Sequence, residues 1–197
     1  RRRRFRHWPG VDGEAACHDG HMPNYRRLWT PGATWFFTVN LLHRAGNDLL
    51  VREIDTLRDC FRRERVARAF TVIAWVVLPE HMHWIWRLPE DDTDFATRWR
   101  RIKTDFSHRQ SLGEARSAVR AARGERGIWQ RRFWEHRIRD EDDLAAHVAY
   151  VHYNPVKHGW AKRAADWPHS SFSAYVARGW LSEDWAAEPE LAVPVGE

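Results

Sequence analysis

Val77-Leu78-Pro79-Glu80-His81-Met82-His83-Trp84-Ile85-Trp86 is the stretch on which the fold turns. Apolar residues run up to a Pro-Glu corner and resume beyond it, as in two buried strands joined by a tight turn. Strand side chains alternate faces, so His81 and His83 point the same way, roughly 7 Å apart at the backbone. Two imidazoles so placed can close on one divalent ion. The same spacing also serves hydrogen-bonded or surface histidines, so on its own it does not decide.

Outward from this corner, residues 70–78 form the strand before it and 81–88 the strand after it. Residues 33–42 (ATWFFTVNLL), bounded by Pro31-Gly32 and Ala45-Gly46-Asn47, are β-branched and aromatic and predict a first strand. Asp48 can cap a helix with Leu50, Ile54, Leu57 and Phe61 on one stripe. Thr93 or Asp94 opens a second helix carrying Phe95, Trp99, Ile102 and Phe106 at helical spacing. Residues 111–127, with Arg116, Arg120 and Arg123 on one face, fit a short basic helix or an ordered loop. Residues 128–138 (IWQRRFWEHRI) fit a fourth strand or an extended segment.

A third helix is predicted over 140–153, with acidic residues in its first turn, where the helix dipole favours them. It is expected to stop at Asn154, because Pro155 disfavours helical backbone in the residue before it. At about 100° per residue, Leu144, Val148 and Val151 make its packing stripe, while His147, Tyr150 and Asn154 share one flank. Tyr153 falls away from the stripe. The flank is expected at the surface. The order β-α-β-β-α-(β)-α predicts an α+β fold, a ferredoxin-like antiparallel sheet with helices on one face.

The chain has 197 residues, a formal net charge of +5 and thirteen tryptophans. Length favours one domain, with 1–21 a disordered N-terminal extension, 22–185 the folded domain and 186–197 a flexible tail. Thirteen tryptophans exceed what a core alone is expected to need. Arginine supplies nearly all the positive charge, and its planar fork suits phosphate while its face stacks on bases. Basic charge with many aromatics fits a binder of unpaired nucleic acid, or an arginine-rich protein from a GC-rich genome. Cys17 and Cys60 match no metal or redox spacing; Cys60 reads as a small buried apolar group. No segment has the apolar length of a membrane span, and no secretory signal is visible. A cytoplasmic, nucleoid-associated protein is expected.

Three separated motifs now carry a resemblance: Leu78-Pro79-Glu80-His81-Met82-His83, Trp129-Gln130-Arg131-Arg132-Phe133-Trp134-Glu135-His136, and Tyr150-Val151-His152-Tyr153-Asn154-Pro155-Val156-Lys157-His158-Gly159. Together, over about 24–185, the chain resembles the bacterial REP-associated tyrosine transposases, relatives of the HUH single-strand transposases. The resemblance implies an HUH-endonuclease fold. It implies that His81 and His83 are paired metal-binding histidines, that Tyr150 is the nucleophile and that Asn154 is the third ligand. Many HUH relatives have glutamine in that position, and both residues supply a carboxamide oxygen. The family cleaves single-stranded DNA beside REP hairpins.

Such a site would take Mg²⁺ or Mn²⁺; two imidazoles with oxygen ligands suit Mn²⁺ well and would also admit Zn²⁺. The implied product is a 5′-phosphotyrosine with a free 3′-OH. No Gly-rich phosphate loop is present, and no nucleotide cofactor is expected. Hairpin or single-stranded DNA is the expected partner, the protein itself acting as a monomer or weak homodimer. DNA contacts are assigned to Arg98, Arg101 and Lys103, off the apolar stripe of the second helix, and to Trp129, Arg131, Arg132 and Trp134. Trp99 lies on the stripe and reads as core; Trp129 and Trp134 fit either core packing or base stacking. The alternatives are a non-catalytic hairpin-binding module on the same fold, and a replication-initiator or relaxase relative.

Overall fold

The computed structural model describes residues 30–111, 118–122, 124 and 126–185. The expectations for 1–21, for 186–197 and for Arg116 and Arg123 lie outside these residues. Four antiparallel strands, β1 (Thr34–Asn40), β2 (Thr71–Val77), β3 (His81–Arg87) and β4 (Trp134–Arg137), form one sheet in the order β2-β3-β1-β4. β1 and β2 are joined through α1 (Leu49–Arg52) and α2 (Ile54–Ala67), with β3 inserted between them. α3 (Phe95–Arg109) and α4 (Ala118–Ala122) lie between β3 and β4; α5 (Glu141–Lys157) and α6 (Phe172–Ala177) follow. The α+β fold and the split β-α-β arrangement are as expected.

One feature of the expected architecture is corrected: helices cover both faces of the sheet. Trp35, Phe37 and Val39 of β1 and Met82, Trp84 and Trp86 of β3 pack against Leu57, Cys60 and Phe61 of α2 and Phe95, Trp99 and Ile102 of α3. Phe36, Ile85, Ala74 and Val76 face the other way, onto Tyr150 and Val151 of α5 and Tyr175 of α6. A bulge between Val72 and Ala74 moves the register of β2 by one residue, so Val72 joins the first layer while Ala74 and Val76 join the second. Periodicity shows that a helix has an apolar stripe but not which side of the sheet it covers. α5 lies on the side of His81 and His83.

The first layer is strongly aromatic. Trp86 stacks on Trp99 with ring centres 4.4 Å apart, and Phe61 stacks on Trp84 at 3.8 Å. Trp35, Trp84, Trp86, Trp99 and Trp129 are all buried here, so five of the thirteen tryptophans are core, while Trp134, Trp160 and Trp180 are exposed. Cys60 is buried among them, its thiol pushed up to about 12, chiefly by burial.

Local boundaries differ in three places. Asp48 does not cap with its side chain; Asn47 Oδ1 accepts from Leu49 N at 3.0 Å, and Asp48 pairs with Arg52 instead. The segment 128–138 touches β1 twice. Trp129 bridges Leu41 and Gln130 N donates to Asn40 O, then the chain leaves and returns as the short β4. Finally, α5 does not stop at Asn154. It continues through Pro155 to Lys157, closed by His158 N on Asn154 O and by Trp160 N on Pro155 O. Proline removes one donor and crowds one earlier carbonyl. Val151, Asn154 and Pro155 are buried, and that packing holds the last turn helical. Asp94 and Asp140 cap α3 and α5 with their side chains, Asp94 as expected.

Candidate active site

The site is built on the second face of the sheet. His81 and His83 on β3 both point to it, beside Phe36 and Thr38 of β1. Their ring centres are 5.0 Å apart. Two imidazoles sharing an ion at a metal–nitrogen length of about 2.1 Å have centres about 5 Å apart, so the spacing fits a shared ion.

Each ring is held from behind. His81 Nδ1 lies 3.0 Å from Glu80 Oε1, and with a carboxylate as acceptor it is Nδ1 that carries the proton. His83 Nδ1 lies 2.9 Å from Thr38 Oγ1. In the tautomer whose Nδ1–H donates to Thr38, the lone pair of Nε2 is open. A second partner on the rear nitrogen, fixing ring and tautomer, is the usual support of a metal-ligating histidine. Burial, and then the charges of His81, His158 and Lys157, hold His83 well below the ordinary imidazole range, so it is neutral, the ligating form. Burial opposes ionisation of Glu80, but the hydrogen bond and charge of His81 and the bond from Arg44 lower it to about 2.

α5 completes the site. Tyr150 and Asn154, one turn apart, are both buried against this face, which corrects the expectation of an exposed flank. The ring centre of Tyr150 is 5.2 Å from that of His83, edge to face. Asn154 is close enough to His83 to favour its charged form slightly, yet Asn154 Oδ1, Asn154 Nδ2 and His83 Nε2 make no hydrogen bond of normal length and angle. Buried polar atoms are seldom left so. Two imidazole nitrogens and a carboxamide oxygen converging here suit a divalent ion.

The stop predicted at Asn154 hid the helical turn that lies beyond it. Lys157 Nζ stands 5.1 Å from the Tyr150 ring centre, and the His158 ring is 5.1 Å from His81. Upstream on the same helix, Asp143 and His147 meet His136 of β4. His136 Nε2 lies 2.9 Å from Asp143 Oδ2, His147 Nδ1 lies 3.2 Å from Asp143 Oδ1, and the two imidazoles stack. Among the described residues this trio brings three metal-competent donors within 4.8 Å. Arg139 also occupies the Asp143 carboxylate, and the shared carboxylate ties α5 to the end of β4. Thr38, Glu80, Asp143, Lys157 and His158 were not singled out from sequence. Glu80 adjoins His81, and Lys157 and His158 continue the spacing of Tyr150 and Asn154; Thr38 had no local signal.

The residues assigned to DNA divide. Arg98 is buried, correcting its placement off the stripe. Its guanidinium donates to Ala69 O, Asp94 O and Asp92 Oδ2. Trp129 is buried against Phe106, which settles it as core, and Trp99 is core as expected. Arg101 is half exposed and pairs with Glu64. Lys103, Trp129 and Arg131, with Arg100 and Arg126, line an open cleft of about 670 Å³ beside α3. Lys103 Nζ also donates to Gln130 O at 2.6 Å. Arg131 and Arg132 are exposed. Trp134 is 37% exposed and lies against Phe36 and His136, on the rim of the His83–Tyr150 face.

The chain is 48% identical over 167 residues to the REP-associated tyrosine transposase of Escherichia coli strain K12, covering 85% of this chain and 93% of that protein. It belongs to the REP-associated tyrosine transposases. It is also 42% identical over 174 residues to a putative REP-associated tyrosine transposase of Haemophilus influenzae, covering 87% and 98% of the two chains. A solved REP-associated tyrosine transposase bound to a REP hairpin matches with a TM-score of 0.73 and 45% identity, over 89% of this chain and all of that one. No protein-family model matches the chain. Among the described residues, no helix of this tyrosine transposase is long and apolar enough to cross a membrane.

Proposed function

We propose that this transposase cleaves and rejoins single-stranded DNA beside REP-type hairpins through Tyr150. The observation that supports it most is the meeting of Tyr150 and Asn154, on α5, with His81 and His83, whose rear nitrogens are already tied to Glu80 and Thr38. Tyr150 Oη forms a bond to the scissile phosphorus as the bond to the 3′-oxygen breaks. The tyrosine proton is lost and the 3′-oxygen leaves as a hydroxyl, so protons and charge balance. The 5′-phosphotyrosine keeps the bond energy, and a 3′-OH can reseal it without ATP. His81, His83 and Asn154 would hold a divalent ion, Mn²⁺ or Mg²⁺, which when bound would neutralise negative charge on the phosphodiester.

Asn40, at the end of β1, pairs with His81 on one side and accepts from Gln130 N on the other, but the basic cleft itself lies beside α3, on the face of the sheet opposite the histidines, so DNA that contacts both passes round the β4 edge. Trp134 offers a partly exposed indole on the site's rim for stacking an unpaired base.

The test is incubation with Mn²⁺ and a labelled hairpin carrying a single-stranded 5′ foot. A covalent adduct mapping to Tyr150 is expected, and Tyr150→Phe should abolish it while hairpin binding persists. Hairpin binding with no adduct would instead leave a non-catalytic binding module; an adduct on Tyr153 would overturn the assignment of the nucleophile.

A further inference from the structure

We infer that Lys157 is a substrate-contacting residue whose ammonium group binds a non-bridging oxygen of the phosphodiester attacked by Tyr150. The inference rests on the proposed function above. It follows from the overrun of α5. Because the helix continues through Pro155, positions 150, 154 and 157 are spaced i, i+4 and i+7 and fall in one line. That line places a tyrosine, a carboxamide and an ammonium in order along one face.

Helical side chains lean toward the N-terminus, so Lys157 leans over the turn of Asn154, and its long arm extends on toward Tyr150, two turns back. Its Nζ stands 5.1 Å from the centre of the Tyr150 ring. Its positive charge is also felt at His83, on the facing strand. A lysine in a last helical turn satisfies the helix dipole equally well when it extends into water. This one is folded back over the nucleophile, with its residue exposed.

A scissile phosphate within reach of Tyr150 Oη is then within reach of the flexible four-carbon arm of Lys157. The phosphodiester is anionic, and repulsion of the incoming oxygen is one of the barriers to attack. A positive charge aimed where negative charge develops stabilises the transition state more than the ground state. An ammonium does this as a compact point charge with three donors, without needing bidentate geometry.

The test reads contact and chemistry separately, using the full chain. For contact, Tyr150→Phe protein in EDTA is titrated with hairpins carrying one neutral methylphosphonate at each successive phosphate of the 5′ foot. At one position neutralisation should weaken binding about 3- to 5-fold, as for a partly exposed ion pair. In Tyr150→Phe, Lys157→Gln that position should become insensitive, while every other position keeps its response. For chemistry, Lys157→Gln in otherwise wild-type protein should form the adduct about 100-fold more slowly. Lys157→Arg should recover part of the rate, and in Lys157→Gln Mn²⁺ affinity should not fall, since a positive charge near the ligands has been removed. An unaltered methylphosphonate profile, or adduct formation at the wild-type rate, overturns the inference. Failure of the wild-type protein to form any adduct would defeat the functional proposal instead, and the binding profile would still decide the contact.

Discussion

His83 is buried, with Thr38 against its Nδ1 and no partner on Nε2, and that asymmetry governs its chemistry. Without Thr38 the ring could turn over or change tautomer, and the nitrogen facing Asn154 would carry a proton about as often as a lone pair. Thr38→Val keeps the volume and removes the hydroxyl. Mn²⁺ affinity by calorimetry should fall about 10-fold, as on loss of a partner behind a ligating histidine. The fold should lose about 1–3 kcal/mol, the cost of leaving a buried donor unpaired. Unchanged Mn²⁺ affinity would show that Thr38 does not orient His83. This pairing crosses 45 residues of sequence and depends on the register of β1 against β3. The two histidines were legible from alternation along a single strand; the hydroxyl behind one of them was not.

At the scale of the element, α5 does two jobs along one stripe. Its last turns carry Tyr150, Asn154 and Lys157, and its first turns are pinned to β4 by Asp143. Burial opposes ionisation of Asp143, but bonds from Arg139 and His136 outweigh it and hold the carboxyl well below its usual range. A carboxylate depressed in the folded state stabilises the fold above its unfolded pKa of about 3.9, and that stability is lost as pH falls toward the folded value. Asp143→Asn should therefore cost about 1–3 kcal/mol at pH 7 in denaturant titration, and the gap to wild type should narrow below pH 4. A deficit that stays constant with pH would assign the loss to packing and not to charge. The adduct rate should fall with it, because α5 would no longer be fixed over β3. The flank shared by His147, Tyr150 and Asn154 was legible from helical periodicity. Its burial was not, since an apolar stripe of Leu144, Val148 and Val151 gives no sign that the polar flank is also covered. Pro155 misled because its bias against a preceding helical residue is a local preference, and packing of Val151, Asn154 and Pro155 overrides it.

For the whole molecule, the two faces of the sheet divide the labour. One is an aromatic core under α2 and α3; the other carries the histidines, the tyrosine and the Asp143 tie to β4. Much of the arginine is used internally: Arg98 ties the start of α3 to the end of α2, and Arg62, Arg63 and Arg109 all pair with Asp59. The number of arginines therefore overstates the positive charge that faces DNA, and composition could not reveal which arginines are spent. Arg131 and Arg132 are the exposed pair beside the cleft, and Trp134 is the indole on the site's rim. Salt dependence and structural preference should then separate. On a hairpin with a single-stranded foot, affinity falls as salt rises, with a log–log slope of about −0.7 per phosphate contact. Arg131→Ala with Arg132→Ala should reduce that slope by about 1.4, and should weaken duplex and hairpin alike. Trp134→Ala should leave the slope unchanged but erode the preference for the hairpin by about 1–3 kcal/mol, because only unpaired bases expose a face to the indole. Trp129→Ala should instead lower thermal stability, as expected of a core ring. Fluorescence anisotropy on matched hairpin and duplex probes at several salt concentrations distinguishes these outcomes. Equal affinity of the wild-type protein for both probes would reduce the DNA interface to a generic basic surface and remove Trp134 from it.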